Sequence, residues 1–333
     1  MARTVNQAFE EFMRDSVNLD RDIVAAARAS RDNLLDNIAD FSGKDGFFRL
    51  YRNSNSYFGS FARQTKCREL DDIDLMVEMN MEGATYSQFA PWNNIQIKID
   101  SSIAIQRLCS HSNDTLNSRS VLERFKYRLE RRYCYSRSKL FRNGEVVRLN
   151  LTSKPWAFDI VPCFRTGVEY DGRSYFLIPN GKGDWQKTDP FLDHQRVTSV
   201  NQSRDGRLLE LIRLCKKWNN VKHAKTIPSY LLETMLVNFA ESTSSLSRNL
   251  DFRFSDALAY IAEHIYFAVN DMKGIQGDIN SLAFEERYAI SQKAQNDRNK
   301  ARQAWEYEKN GNHRQAINLW REIFGEEFPR YDG

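Results

Sequence analysis

Residues 57–77 read YFGSFARQTKCRELDDIDLMV, and no other segment says as much about the architecture of this chain. It places a Gly-Ser pair ahead of the acidic tripeptide 72–74, which opens an apolar run. Because successive side chains of a strand point to opposite faces, Asp72 and Asp74 share one face, and the alternate apolar residues share the other. The spacing therefore predicts a strand with two converging carboxylates. The residues predicted to enter the core are Ile73, Leu75 and Val77.

The paired carboxylates predict a divalent metal site. Like charges held this close repel and raise each other's pKa unless a cation lies between them. Carboxylate oxygens are hard ligands that suit Mg²⁺ or Mn²⁺. A third acid, Asp159, lies within the apolar segment 156–162, where an unpaired carboxylate would be costly to bury. We expect two metal ions: Asp72 and Asp74 bind the ion on a triphosphate, and Asp159 joins them on the second, beside the attacking hydroxyl.

Gly59 and Ser60 are the candidate triphosphate cradle. Backbone can approach a phosphate closely at glycine, and a serine hydroxyl and nearby amides can donate to phosphate oxygens. A Gly-Ser pair alone is weak evidence because most such pairs are ordinary turns, and a DxD tripeptide alone also fits a solvated strand edge. Together, in the order turn then acidic strand, they predict a nucleotidyl-transfer site.

Gly59-Ser60, Asp72-x-Asp74 and Asp159 resemble the catalytic core of the polymerase-β-like nucleotidyltransferases. More closely, they resemble the CD-NTases of bacterial CBASS anti-phage defence, the relatives of cyclic GMP–AMP synthase and oligoadenylate synthetase. The resemblance spans nearly the whole chain. It implies an α+β fold in which a polymerase-β-like nucleotidyltransferase sheet lobe packs against a helical C-terminal lobe, with the substrate cleft between them.

Three further segments carry this resemblance: 211–219 (LIRLCKKWN), 227–233 (IPSYLLE) and 316–325 (AINLWREIFG). In the family, the lysine two residues before the tryptophan and the serine of the second segment reach the triphosphate, while the tyrosine stacks on a base. The resemblance therefore implies that the helical lobe contributes three nucleotide-binding residues: Lys216, Ser229 and Tyr230.

The same residues also have structural interpretations. Trp218 is better explained as core, because large apolar residues at helical spacing usually pack inward. Tyr230, taken without the resemblance, fits a core tyrosine with a satisfied hydroxyl. Lys216 and Lys217 fit a solvated helix face. Neighbours on a helix diverge by about 100°, so one of the two lysines at most can point at the triphosphate.

Length and charge constrain the class of protein. At 333 residues the chain exceeds the usual size of a single core. We predict a catalytic lobe at 1–192, including N-terminal helices, and at 193–333 a helical, oligoadenylate synthetase-like lobe with a C-terminal tail. The 48 basic and 44 acidic residues are interspersed, which argues against dedicated nucleic-acid binding. The basic cluster 124–133 fits the flank of a cleft or plain surface better than a nucleic-acid binding site, although basic stretches with aromatic residues can bind nucleic acid.

Two glycine-containing segments predict local structure. Asn143-Gly144, between apolar segments, predicts a hairpin that delivers the strand carrying Asp159. The segment 181–187, GKGDWQK, has the composition of a mobile loop anchored by Trp185. As a lid it would exclude water on closure, and a plain turn fits equally well.

The expected environment is a reducing cytoplasm. The five cysteines lack CxxC spacing, so the sequence favours neither a disulfide framework nor a zinc site. The chain shows no apolar h-region of a signal peptide, and no apolar run reaches the ~20 residues of a membrane span. We therefore expect a cytoplasmic enzyme with no membrane partner.

The resemblance implies a synthase that joins NTPs, ATP foremost, into a cyclic di- or trinucleotide messenger and releases pyrophosphate at each step. It also implies an accessory partner, HORMA or E1/E2-like, and a downstream effector. In part of the family the C-terminal glycine is conjugated, and the free polar tail ending at Gly333 resembles that arrangement.

Two alternatives stay open at this point. One is a template-independent transferase that extends an RNA end or a linear oligonucleotide, against which the near-neutral charge counts. The other is a catalytically silent nucleotide sensor. Retention of all three acids counts against a silent protein, which has no need of them.

Overall fold

The computed structural model describes residues 2–51, 58–221 and 226–333, and the chain divides into two compact units. The sheet unit comprises Asp22–Arg63 and Leu70–His194. The helical unit comprises three segments: Met1–Arg21, Gln64–Glu69 and Gln195–Gly333. The C-terminal boundary lies two residues from the predicted one. The N-terminal segment, which the sequence assigns to the catalytic lobe, instead belongs to the helical unit.

The helices and strands have the following bounds. The helices are α1 Val5–Phe12, α2 Arg21–Ala39, α3 Gly59–Ala62, α4 Ala104–Leu108, α5 Ser118–Glu130, α6 Pro190–Ser203, α7 Arg207–Asn219, α8 Ser229–Ser242, α9 Leu250–His264, α10 Phe284–Lys309 and α11 His313–Phe324. A π-helical turn, Met13–Val17, follows α1, and a 3₁₀ turn, Tyr133–Tyr135, follows α5. The strands are β1 Asp72–Glu78, β2 Thr85–Tyr86, β3 Ile97–Lys98, β4 Lys139–Asn143, β5 Val146–Asn150, β6 Ala157–Arg165, β7 Phe176–Pro179 and β8 Trp185–Thr188.

The main sheet is built around β6. Its order is β4-β5-β6-β7-β8 with antiparallel neighbours, and β1 pairs with β6 in parallel. Strand β1 forms where the sequence predicts it, because its alternate apolar residues can enter the core of the unit. Ile73, Leu75 and Val77 are indeed buried, at 1%, 3% and 6% exposure, which confirms the predicted core face.

The predicted hairpin is confirmed. Asn143 pairs with Val146, so β4 and β5 are joined by a two-residue turn that begins at Gly144, whose φ is +56°. A positive φ at this position matches the twist of the flanking strands and suits glycine. Strand β5 then pairs directly with β6, the strand that carries Asp159.

The lid interpretation of 181–187 is wrong, and the turn interpretation is correct. The segment connects β7 to β8, and Asn180 accepts the backbone N–H of Lys182 at 2.9 Å. Trp185 is fully buried in β8, where its indole N–H donates to the carbonyl of Leu116 at 2.9 Å. A buried, hydrogen-bonded strand cannot swing away as a lid.

Aromatic packing explains why the N-terminal segment belongs to the helical unit. The ring of Phe9 on α1 lies 4.8 Å from that of Trp320 on α11 and 5.1 Å from that of Phe328. The chain ends nearby in space, since the backbone N–H of Asp332 donates to the carbonyl of Ala2 at 3.0 Å. The expectation of a free tail is therefore wrong as far as Asp332.

The core interpretation of Trp218 is confirmed. Its side chain is 1% exposed, and its indole N–H donates to Asp297 at 2.8 Å. None of the helices in the described ranges is both long and apolar enough to cross a lipid bilayer.

We expect Trp320→Ala to lower the free energy of unfolding of the helical unit by about 3–5 kcal/mol, because it removes a fully buried indole from an aromatic core. Urea unfolding followed by circular dichroism measures this. Phe267→Ala is the control, since that side chain is 64% exposed and its loss should cost no more than about 0.5 kcal/mol. Equal losses in the two variants would contradict the assignment of this core.

Candidate active site

The three predicted acids lie on one face of the main sheet. In the parallel pairing of β1 with β6, Asp74 lies opposite Asp159, and Asp72 lies opposite Ala157. Side chains at the same register of paired strands point to the same face. All three aspartates are half-buried, and Asp74 and Asp159 each lie between two buried apolar neighbours. The structure therefore brings Asp72, Asp74 and Asp159 together on one surface of the sheet unit.

Gly59 lies directly against this acidic face. It begins α3 with a φ of +73°, and a Cβ built on it would lie 1.8 Å from Oδ2 of Asp74. No side chain fits there. Phe58, the residue before Gly59, anchors this turn by apolar packing. It lies on a cluster that includes Met76 and Val161, which continue the acidic face along β1 and β6. Ser60, the next residue, is half-buried at the start of α3.

Arg148 is a site residue that sequence reasoning missed. It lies opposite Asp159 in the β5–β6 pairing, and its Nη1 donates to both carboxylate oxygens, at 2.9 and 3.2 Å. A charge-assisted contact of this kind offsets the cost of a half-buried carboxylate. A signal was present in the sequence, because Arg148 stands between two apolar residues, Val147 and Leu149, and alternation along a strand puts it on the face opposite theirs. In the structure both neighbours are fully buried.

The argument that a divalent metal fits this face rests on the chemistry of the side chains that could bind it. Three carboxylates on one face supply the hard oxygen ligands that Mg²⁺ or Mn²⁺ requires. The positive charge beside Asp159 in this structure comes from Arg148. Across residues 2–51, 58–221 and 226–333, no three Asp, Glu, His or Cys side chains are arranged tightly enough to hold one ion. The metal ligands therefore stay a prediction.

In the helical unit, Lys216 on α7 forms an ion pair with Glu233 on α8. The two side chains are 8% and 1% exposed. Lys217 instead pairs with Glu327 at 2.6 Å, so the two lysines diverge as expected for helix neighbours. Glu233 was missed as a partner, although an acid within the apolar segment SYLLETMLV is the signal that could have found it.

Ser229 and Tyr230 open α8. Ser229 is exposed at the first position of the helix, and Tyr230 is half-buried. The chain before them is held by Asn219, whose side chain exchanges two hydrogen bonds of 2.8 Å with the backbone of Ile227. The hydroxyl of Tyr230 donates to Asp271 at 2.6 Å. The binding roles of Lys216, Ser229 and Tyr230 stay predictions.

Comparison with known proteins extends the assignment. The chain is 37% identical to a probable cyclic nucleotide synthase of Bacillus cereus (strain VD146), over the full length of both. It is similar in structure to CdnC of E. coli MS115-1, solved as a complex with HORMA-deltaN. That match has a TM-score of 0.69 and 16% identity, and it covers 97% of this chain and 98% of CdnC.

A second solved structure is the cyclic AMP-GMP synthase DncV of Vibrio cholerae, in complex with the linear intermediate 5′ pppA(3′,5′)pG. The TM-score is 0.57 at 14% identity, with 82% of this chain and 68% of DncV covered. No family model matches the sequence.

The α+β fold and the relatives together define a nucleotidyltransferase. Because the Bacillus relative is similar along its full length, the chain belongs to the CD-NTase family of cyclic nucleotide synthases.

We expect Gly59→Ala to reduce nucleotide transfer by at least about a hundredfold, since displacement of reacting groups by about 1 Å costs that much. The reason is the collision of the new Cβ with the Asp74 carboxylate. Turnover of labelled NTPs measures the loss. Gly144→Ala is the matched control, because Gly144 also has a positive φ but has nothing within 4 Å of its Cβ position. Equal losses in both would implicate backbone strain instead.

Removing the carboxylate of Glu233 tests the structural role of its ion pair with Lys216. We expect Glu233→Gln to destabilise the helical unit by about 3–5 kcal/mol, because it leaves a buried ammonium without its anion. The double change Lys216→Met with Glu233→Leu should restore most of that stability. Urea unfolding measures both.

The control for this pair is Glu322→Gln, which breaks the more exposed ion pair with Lys300 and should cost no more than about 1 kcal/mol. A Glu233→Gln variant as stable as Glu322→Gln would contradict the expectation, since Lys216 would then have reached solvent.

Proposed function

We propose that the protein uses Mg²⁺ or Mn²⁺ to join NTPs into a cyclic di- or trinucleotide for anti-phage signalling, releasing pyrophosphate at each step. The observation that carries the proposal is the acidic face of β1 and β6, with Gly59 directly against Asp74. Carboxylates and a closely approaching glycine backbone are what a metal-bound triphosphate requires. The cyclic product is supported by the full-length relative.

The residues of the sheet unit would divide the work. Asp72 and Asp74 would hold the ion of the triphosphate, and Asp159 would share the second ion with them. The bound ions would lower the pKa of the attacking hydroxyl and stabilise the leaving oxygen. Gly59 and Ser60 would orient the triphosphate by donating backbone and hydroxyl hydrogens to its oxygens. Arg148 would keep the Asp159 carboxylate oriented toward the shared face.

In the helical unit, Lys216, Ser229 and Tyr230 would bind the NTP. The exposed position of Ser229 at the start of α8 supports a contact with the triphosphate. Glu233 restricts the Lys216 ammonium to one orientation, so less side-chain freedom is lost on binding a phosphate. Tyr230 would stack on the base, the usual use of an aromatic ring against nucleobases.

The relatives suggest substrates and partners. CdnC has been solved with a HORMA protein and with ATP, and DncV with a linear dinucleotide intermediate. We infer that ATP is among the substrates and that a HORMA or E1/E2-like protein assists this chain. An effector would read the product. NTPs are abundant in the cytoplasm, so we place the reaction there.

The test is to incubate the protein with Mg²⁺ or Mn²⁺ and each NTP, singly and mixed, and to identify phosphatase-treated products by mass spectrometry. We expect a phosphatase-resistant cyclic product that falls by at least about a thousandfold in Asp72→Asn, Asp74→Asn and Asp159→Asn, since each removes a ligand charge from the reacting centre. Asp114→Asn is the control. That residue is exposed with a φ of +59°, which asparagine also tolerates.

Other outcomes distinguish the alternatives. RNA-dependent linear extension would favour the terminal transferase. NTP binding without any product, under every combination of metal and nucleotide, would favour the silent sensor and contradict the proposal.

A further inference from the structure

A buried carboxylate organises the loop between α9 and α10. The side chain of Asp271 is fully buried, and one of its oxygens accepts the hydroxyl of Tyr230 at 2.6 Å and the backbone N–H of Lys273 at 3.1 Å. The other oxygen accepts the backbone N–H groups of Ile275 and Gln276 at 3.2 and 3.1 Å. Asp271 therefore stabilises the conformation of its own loop. Its hydrogen bond with Tyr230 connects that loop to the first turn of α8.

Lys273 contacts the same tyrosine. Its Nζ lies 4.1 Å from the ring centroid of Tyr230 and 3.7 Å from Oδ1 of Asp271. The lysine side chain is 9% exposed, so the contact is largely desolvated, where a cation–π interaction is strongest. Tyr230 is thus held at two points, its hydroxyl and one ring face.

The charge of Asp271 is maintained despite its burial. Burial alone would raise its pKa, but the hydrogen bond from Tyr230, the ammonium of Lys273 and the backbone donors together lower the pKa below its ordinary value. The carboxylate is ionised at neutral pH and can accept all four bonds. An asparagine would replace one acceptor oxygen with an NH₂ group that cannot accept them.

We propose that Asp271 and Lys273 are positioning residues that hold Tyr230 as a platform for the base of the bound NTP. This inference rests on the proposed function, in which Tyr230 stacks on the nucleobase of the NTP. A ring already fixed in place loses little conformational freedom when a base stacks on it, so more of the stacking energy remains as affinity. The two residues would therefore strengthen binding of the base and leave binding of the triphosphate unchanged.

The test compares two probes, NTP and inorganic tripolyphosphate, both with Mg²⁺, by isothermal titration calorimetry. We expect Asp271→Asn to raise the Kd of the most tightly bound NTP by about tenfold, which corresponds to part of the stacking contribution of one base. Tripolyphosphate should bind within about twofold of its affinity for the unaltered protein, since it has no base. Tyr230→Phe should also weaken NTP binding, and the double variant should lose less than the sum of the two single losses, because the Tyr230–Asp271 bond is common to both changes.

Asp278→Asn is the matched control. Asp278 stabilises the same loop by accepting the backbone N–H groups of Val269 and Asn280, and neither of these bonds involves Tyr230. An equal loss of NTP affinity in Asp278→Asn, or an equal loss of tripolyphosphate affinity in Asp271→Asn, would overturn the inference, because loop integrity would explain both. Unaltered protein that binds tripolyphosphate but none of the four NTPs more tightly would instead overturn the proposed base-binding function itself.

Discussion

The parallel pairing of β1 with β6 is the constraint on which the site depends. Its register sets Asp74 beside Asp159 and keeps Asp72 on the same face. A slip by one residue would turn both acids of β1 toward the core and expose Ile73. The buried alternate residues of β1 therefore fix the register, and the placement of the three acids follows from apolar packing on the opposite face of the same strand.

Two of the candidate site residues that are largely buried lie beside a partner of opposite charge. Arg148 pairs with Asp159 in the sheet unit, and Glu233 pairs with Lys216 in the helical unit. Removing one member of such a pair is expensive because it leaves an uncompensated charge in a medium of low dielectric constant. Each pair thus restricts the orientation of its polar side chains.

The sequence was most informative where the deciding physics is local. Alternation along β1 predicted both the acids and the core face, and the turn residues at Asn143-Gly144 predicted the hairpin. Partners that come from distant positions had no comparable signal. Asp271 lies 41 residues from Tyr230 along the chain, and no residue near the tyrosine in the sequence predicts their hydrogen bond. Local composition places Trp185 in a loop, because it cannot show that the indole is bonded to Leu116, 69 residues away along the chain.

The contact between Gly59 and the Asp74 carboxylate bears on how this protein can change during evolution. At 1.8 Å from the position of a Cβ, the carboxylate leaves no route by which position 59 could accept even alanine while Asp74 stays in place. A substitution at position 59 is therefore conditional on position 74, whereas Gly59 places no such demand on Asp74. Evolution can replace this glycine only after, or together with, the loss of the carboxylate that it faces.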